Sequence, residues 1–227
     1  MRPGQIAHQH EQHAALMKNV EDIYPVSPMQ EVMLLHTMSR RGNDSLLNQI
    51  VFVSNGKFNV AAFEDAWQLV IQRHPMLRTT FIVDKVKAPL QVVRKTVTLK
   101  WDVADWRELD ADAQRQRLHQ YRETDRAAGI NPARAPMMRF FLARTAQEGW
   151  YFVWTSHHLQ MDRWCLDSVL GDVARFYEQL CAGRKPMVAT APSFRRYINW
   201  IADQDRAAAL RFWRSVLCGF DQPTPVD

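Results

Sequence analysis

The chain has 227 residues, 47% of them hydrophobic, with eight tryptophans and eleven phenylalanines, enough apolar material for a sizeable core in one large domain or two small ones. A formal net charge of +5 invites a nucleic-acid partner, but basic and acidic residues alternate, as in Arg122-Glu123-Thr124-Asp125-Arg126, which marks solvated helix faces rather than a phosphate-tracking stripe. Three widely spaced cysteines without a CxxC pair (Cys165, Cys181 and Cys218) argue for a reducing compartment, and a polar, His/Gln-rich start with no long apolar run excludes a signal peptide and a membrane span, so a cytoplasmic protein is expected.

Residues 1–20 read as a flexible or partly helical leader, either a disordered end or a docking segment. Tyr24-Pro25-Val26-Ser27-Pro28 reads as an extended turn, because each proline pushes its predecessor out of helical geometry. Ser27 suits an N-cap and Pro28 a first helical position, so a helix is predicted from Met29 to about Ser39. Gln49 to Ser54 reads as a strand, and Asn55-Gly56 as a turn. Ala62, Phe63, Ala66, Trp67, Val70 and Ile71 recur at helical spacing from Val60 to His74, and Pro75 ends that helix. This periodicity assigns Phe63 and Trp67 to the core rather than to a ligand.

Thr79 to Val83, Leu90 to Val93 and Val97 to Trp101 are predicted strands, followed by a polar helix from Asp110 to Ala128. Met138 to Arg144 and Trp150 to Ser156 read as two strands joined by a turn at residues 147–149. Leu166 to Leu180 has an amphipathic helical pattern that stops before Gly183, and two more helices are predicted over Ser193–Asp203 and Arg206–Leu217. Residues 221–227, with Pro223 and Pro225, have linker-like composition.

The most informative stretch is Ser156-His157-His158-Leu159-Gln160-Met161-Asp162-Arg163-Trp164, which leaves a strand and enters a helix. An imidazole at a strand end can reach into a cleft and handle a proton near neutral pH. Adjacent residues on extended backbone point to opposite faces, so one histidine can serve a site while the other packs inward. His158 and Asp162 have a metal-compatible spacing, but no second cluster supplies the remaining ligands, so no metal is expected. Trp164 could line a site or pack, and Cys165 lacks a sequence-adjacent activator that would make it a nucleophile.

Four segments in order resemble the condensation domains of nonribosomal peptide synthetases. Ser27 to His36 resembles their opening motif, Arg73-His74-Pro75-Met76-Leu77-Arg78-Thr79-Thr80-Phe81 the RHxxLRTxF motif, His157 to Asp162 the HHxxxDG motif, and Phe194 to Trp200 the next, with Phe212-Trp213 fitting the helix after it. The resemblance covers nearly the whole chain from Glu21 onward.

It implies an α/β, chloramphenicol-acetyltransferase-like half domain, an α+β sandwich with a mixed sheet flanked by helices. In the family, two such halves enclose a tunnel. The second-half motifs are not matched, so residues 21–220 are expected to be the N-terminal subdomain, with the C-terminal subdomain as a missing partner. The implied activity is acyl transfer. A donor acyl or peptidyl thioester on the phosphopantetheine arm of an upstream peptidyl carrier protein meets the amine of an aminoacyl group on a downstream carrier, and an amide forms. The domain itself is expected to bind no cofactor, no nucleic acid and no membrane.

By the resemblance His158 is the catalytic residue, as base or as the group that orients the amine and stabilises charge; His157 is structural; and Asp162 pairs with Arg78 to fix the loop. The motif glycine is Arg163 here. Glycine would permit unusual backbone angles, and arginine adds a long cation that narrows the passage. The isolated half is expected to be inactive and to self-associate through the apolar surface meant for its partner. Two alternatives stay open: a noncatalytic carrier-docking module disabled by Arg163, and a chain-starting fatty-acyl condensation or epimerization domain. The chain-starting variant is raised by the nearness of Met1 to the first motif.

Overall fold

The computed structural model describes residues 18–39, 45–145 and 149–222. The leader thus lies almost wholly outside the described residues, as do most of the turn expected at 147–149 and the final prolines.

The described residues form two sheets and the helices that cover them. Strand β1 (Val20–Pro25) is followed by α1 (Pro28–Ser39), β2 (Leu47–Asn55) and α2 (Val60–Arg73). A single 3-10 turn (Pro75–Arg78) leads into β3 (Thr79–Ile82), β4 (Leu90–Arg94) and β5 (Trp101–Asp105). Helix α3 (Ala111–Ala127), β6 (Met138–Arg144), β7 (Gly149–His157), α4 (Arg163–Cys181), α5 (Arg195–Ala202) and α6 (Arg206–Val216) complete the order.

The larger sheet is mixed, in the order β2-β7-β6-β5, antiparallel except for the parallel β5–β6 pair that α3 connects. Its central strands are buried on both faces, which explains their near-continuous apolar sequences. Met138, Phe140 and Leu142 of β6 and Phe152 and Trp154 of β7 face α2 and α4 in the main core, around the fully buried Trp67. Phe141, Ala143 and Val153 face the other way beneath α3, where Tyr121 stacks on Phe141 with ring centroids 3.9 Å apart.

The smaller sheet is antiparallel, in the order β1-β4-β3. Its first strand runs from the end of the expected leader into the expected turn at Tyr24, across residues 21–23, for which the sequence alone predicts no element. It becomes a strand because β4 supplies its ladder, with Ile23 opposite Val92 and Tyr24 opposite Gln91, a pairing that VEDIYP does not announce locally. Arg195 of α5 locks onto this strand through both Asp22 carboxylate oxygens and the Ile23 carbonyl, and its guanidinium lies over the Tyr24 ring.

The strand expected at Val97–Trp101 forms four residues later, at Trp101–Asp105, where it can pair with β6. Leu99 and Trp101 do face the core, so the alternation reflects burial, but residues 97–100 make no ladder. The Gln68 side chain takes its place, donating to the Val97 carbonyl and accepting from the Leu99 amide. Helix α4 starts three residues earlier than its apolar pattern, because the Asp162 side chain accepts from the Cys165 amide and caps it.

Candidate active site

Strand β7 carries the two histidines to the end of the large sheet. The Leu47–His157 register is the last rung between β2 and β7, and beyond it the His158 amide donates to the Leu46 carbonyl at 2.8 Å. His157 is fully buried and His158 half-buried, the division that alternation along a strand leads one to expect.

The His157 ring is held at both nitrogens. Its Nδ1 accepts from the Leu159 amide at 3.1 Å, which puts the ring proton on Nε2, and Nε2 lies 3.2 Å from the Thr37 hydroxyl on α1. That hydroxyl in turn donates to the Met33 carbonyl at 2.8 Å. Burial, and secondarily the neighbouring His158, lower the His157 pKa to about 4, so this ring stays neutral near pH 7.

The His158 ring has one protein partner among the described residues: Asn48 on β2, whose Nδ2 is 3.4 Å from Nδ1. An amide donating there leaves the neutral ring's proton on Nε2, the nitrogen without a protein partner among the described residues. Sequence reasoning alone misses Asn48. Its signal is positional, since the β2–β7 register places it beside Ser156, two residues before His158.

The expected Asp162–Arg78 pair is absent. Arg78 is buried, but its guanidinium binds Glu21 at 2.7 Å, the Ile71 carbonyl at 3.1 Å and the Arg94 carbonyl. Asp162 is exposed at the α4 N-terminus, and its cap to Cys165 holds its carboxyl below the usual range. A buried guanidinium needs acceptors, and here backbone carbonyls and Glu21 supply them, while the helix start claims Asp162.

Two glutamines hold the histidine loop instead. Gln160 Nε2 donates to the carbonyls of Met76 (3.0 Å) and Thr79 (3.3 Å), and the Gln160 amide donates to the His157 carbonyl. Gln30 donates to the Leu159 carbonyl at 3.2 Å. Gln30 is itself fixed by a reciprocal cap with Ser27 at the start of α1 and by a paired amide with Gln91 on β4. Arg78 lies in the turn whose Met76 carbonyl Gln160 grips.

Arg163 is the first residue of α4 and exposed, without the positive φ that would demand glycine. Trp164 beside it is 85% exposed, so it neither packs in the core nor encloses the site within this chain. Among the described residues no group of three or more His, Cys, Asp or Glu could hold a metal ion, and no helix is long and apolar enough to cross a membrane.

The second sequence motif ties helices together: Arg73 Nε and His74 Nε2 both meet Asp172 Oδ2 of α4, at 2.7 and 2.8 Å. Exposed apolar residues gather on α5, α6 and just beyond, including Tyr197, Trp200, Phe212, Trp213 and Phe220, and along α1 at Met29, Val32, Leu35 and Met38.

The family model described as Condensation domain matches residues 20–226. Surfactin synthase subunit 3 of Bacillus subtilis (strain 168) is 33% identical over 205 residues, covering 90% of this chain and 16% of that protein. Gramicidin S synthase 2 of Brevibacillus brevis is 30% identical over 205 residues, covering 90% of this chain and 5% of that protein. The chain thus spans a small fraction of the curated relatives it matches.

Among solved structures, the starter condensation domain of rhizomide synthetase RzmA shares the fold with a TM-score of 0.73 at 22% identity, covering 91% of this chain and 52% of that one. The EpoB cyclization-docking bidomain from Sorangium cellulosum does so with a TM-score of 0.75 at 18% identity, covering 99% and 47%. With the family match running through both sheets and the His157-His158 loop, the chain belongs to the condensation-domain family of nonribosomal peptide synthetases.

Proposed function

We propose that this chain is the N-terminal half of a domain that joins a carrier-bound acyl or peptidyl thioester to the amine of a carrier-bound aminoacyl group. The amine nitrogen attacks the thioester carbon, the C–N bond forms, and the carrier's thiolate leaves. An α-ammonium is no nucleophile, so a proton must depart before or during attack. The observation that carries the reading is His158, a half-buried imidazole at the end of β7 with Nδ1 taken by Asn48 and Nε2 left for a substrate. In the tautomer that Asn48 favours, Nε2–H is a donor, which suits holding negative charge on the tetrahedral intermediate's oxygen; the ammonium's proton leaves to solvent before attack, and the proton shed as the amide forms passes to the departing thiolate.

Much of the rate would come from presenting two tethered substrates to each other. This needs both walls of a tunnel, and the half alone is inactive on this reading. The exposed aromatic residues of α5 and α6 support it, as a face suited to the other half. Of the two grounds for a docking-only role disabled by Arg163, a backbone that only glycine tolerates finds no support in the helical backbone at that position, which leaves the long cation beside the passage as its basis.

The test joins this chain to a condensation-domain C-terminal half and supplies donor- and acceptor-loaded carrier proteins. The expected result is an amide product by mass spectrometry, lost in His158→Ala and unseen with this chain alone. Product formation undiminished in His158→Ala overturns the proposal.

A further inference from the structure

At the end of the main core away from the histidines lies a cavity of about 150 Å³, between the β2–β7 pair, α2 and α4. Its walls are aromatic: Phe52, Phe58, Phe63, Trp67, Trp150 and Phe152. The rings brace one another, with Phe63 centroids 4.9 Å from Phe152 and 5.0 Å from Phe58, and Phe58 5.9 Å from Trp150. Trp67 and Phe152 form a buried floor, whereas Val53 at the rim is 61% exposed, so the cavity is framed by rigid rings and reachable from solvent. Among the described residues, none that lines it is charged.

We propose that this cavity is a binding site for a small, neutral, apolar molecule of about the size of one benzene ring. An enclosed apolar cavity of comparable volume admits benzene, and this one offers the same room while opening to solvent beside Val53. An occupant gains dispersion contacts that the facing rings lack and leaves water behind. A charged ligand is excluded, because Ser54, the one polar side chain among the lining residues, brings no opposite charge to compensate its desolvation. The site is separate from the imidazole: Phe152, the lining residue of β7 nearest to it, is five residues from His157, about 17 Å at a strand's rise per residue.

The experiment titrates the 227-residue chain with toluene in sealed cells, following thermal unfolding and tryptophan fluorescence. Binding to the native state raises the midpoint by about 5–10 °C at a hundredfold excess over Kd and perturbs the emission of Trp67 and Trp150. In Leu170→Phe, a ring placed on the α4 side of the cavity abolishes both effects. Should that variant fail to fold, saturation transfer from toluene to the Phe58 and Trp150 ring protons in the unaltered chain decides. Absence of a midpoint rise, an equal rise in Leu170→Phe, or no transfer to those rings overturns the proposal.

Discussion

Replacing Arg78 tests what holds the histidine loop. Its guanidinium is buried and gives up hydrogen bonds to Glu21, Ile71 and Arg94 when truncated, leaving carbonyls without donors. Removing one member of a buried ion pair costs about 3–5 kcal/mol, and the Glu21 side chain, 41% exposed, can rehydrate, so the lower end applies. Arg78→Ala is expected to destabilise the chain by about 3 kcal/mol, lowering the thermal midpoint by about 6–12 °C. Asp162→Ala removes only a helix cap, costing about 1 kcal/mol.

The decisive assay is a pair of double-mutant cycles by urea unfolding, followed by circular dichroism. Arg78 and Glu21 should couple by about 1–3 kcal/mol, while Arg78 and Asp162 should be additive to within about 0.5 kcal/mol. A coupling of Arg78 to Asp162 above about 1 kcal/mol would refute the assignment and restore the expected clasp.

His157 makes stability depend on pH. With its folded pKa near 4 and an unfolded value near 6.5, the unfolded chain binds more protons between these limits; this contribution is full above pH 6.5 and is lost as pH falls towards 4. The loss reaches about 3 kcal/mol, and the difference between the unaltered chain and His157→Asn in urea unfolding at pH 6.5, 5.5 and 4.5 isolates it. In a domain with both halves, Asn48→Ala should slow amide formation about tenfold with unfolding unchanged, the cost of one hydrogen bond to the reacting ring; an unaffected rate excludes Asn48 from positioning His158. Light scattering should show this chain self-associating with rising concentration, and the pair Trp200→Glu and Phe212→Glu should return it towards monomer.

The element pattern is legible where a segment's own spacing matches its burial. Helix α2 presents Ala62, Ala66, Trp67, Val70 and Ile71 to the core at helical intervals, and β6 and β7 are apolar on both faces because both faces are covered. Strand β1 is not legible, since only β4, some seventy residues on, supplies its hydrogen bonds. Nor is the start of α4, where a single capping carboxylate outweighs the apolar period.

The site divides the same way. The order of residues sets the opposed faces of His157 and His158, because backbone alternation is a local property of a strand. Tertiary structure alone decided the partners: Asn48 for His158, Thr37 for His157, Gln30 and Gln160 for the loop, and Glu21 rather than Asp162 for Arg78. Spacing fixes which way a side chain faces, but a buried polar group takes whichever acceptor the packing brings within about 3 Å, and that is settled only when distant segments meet.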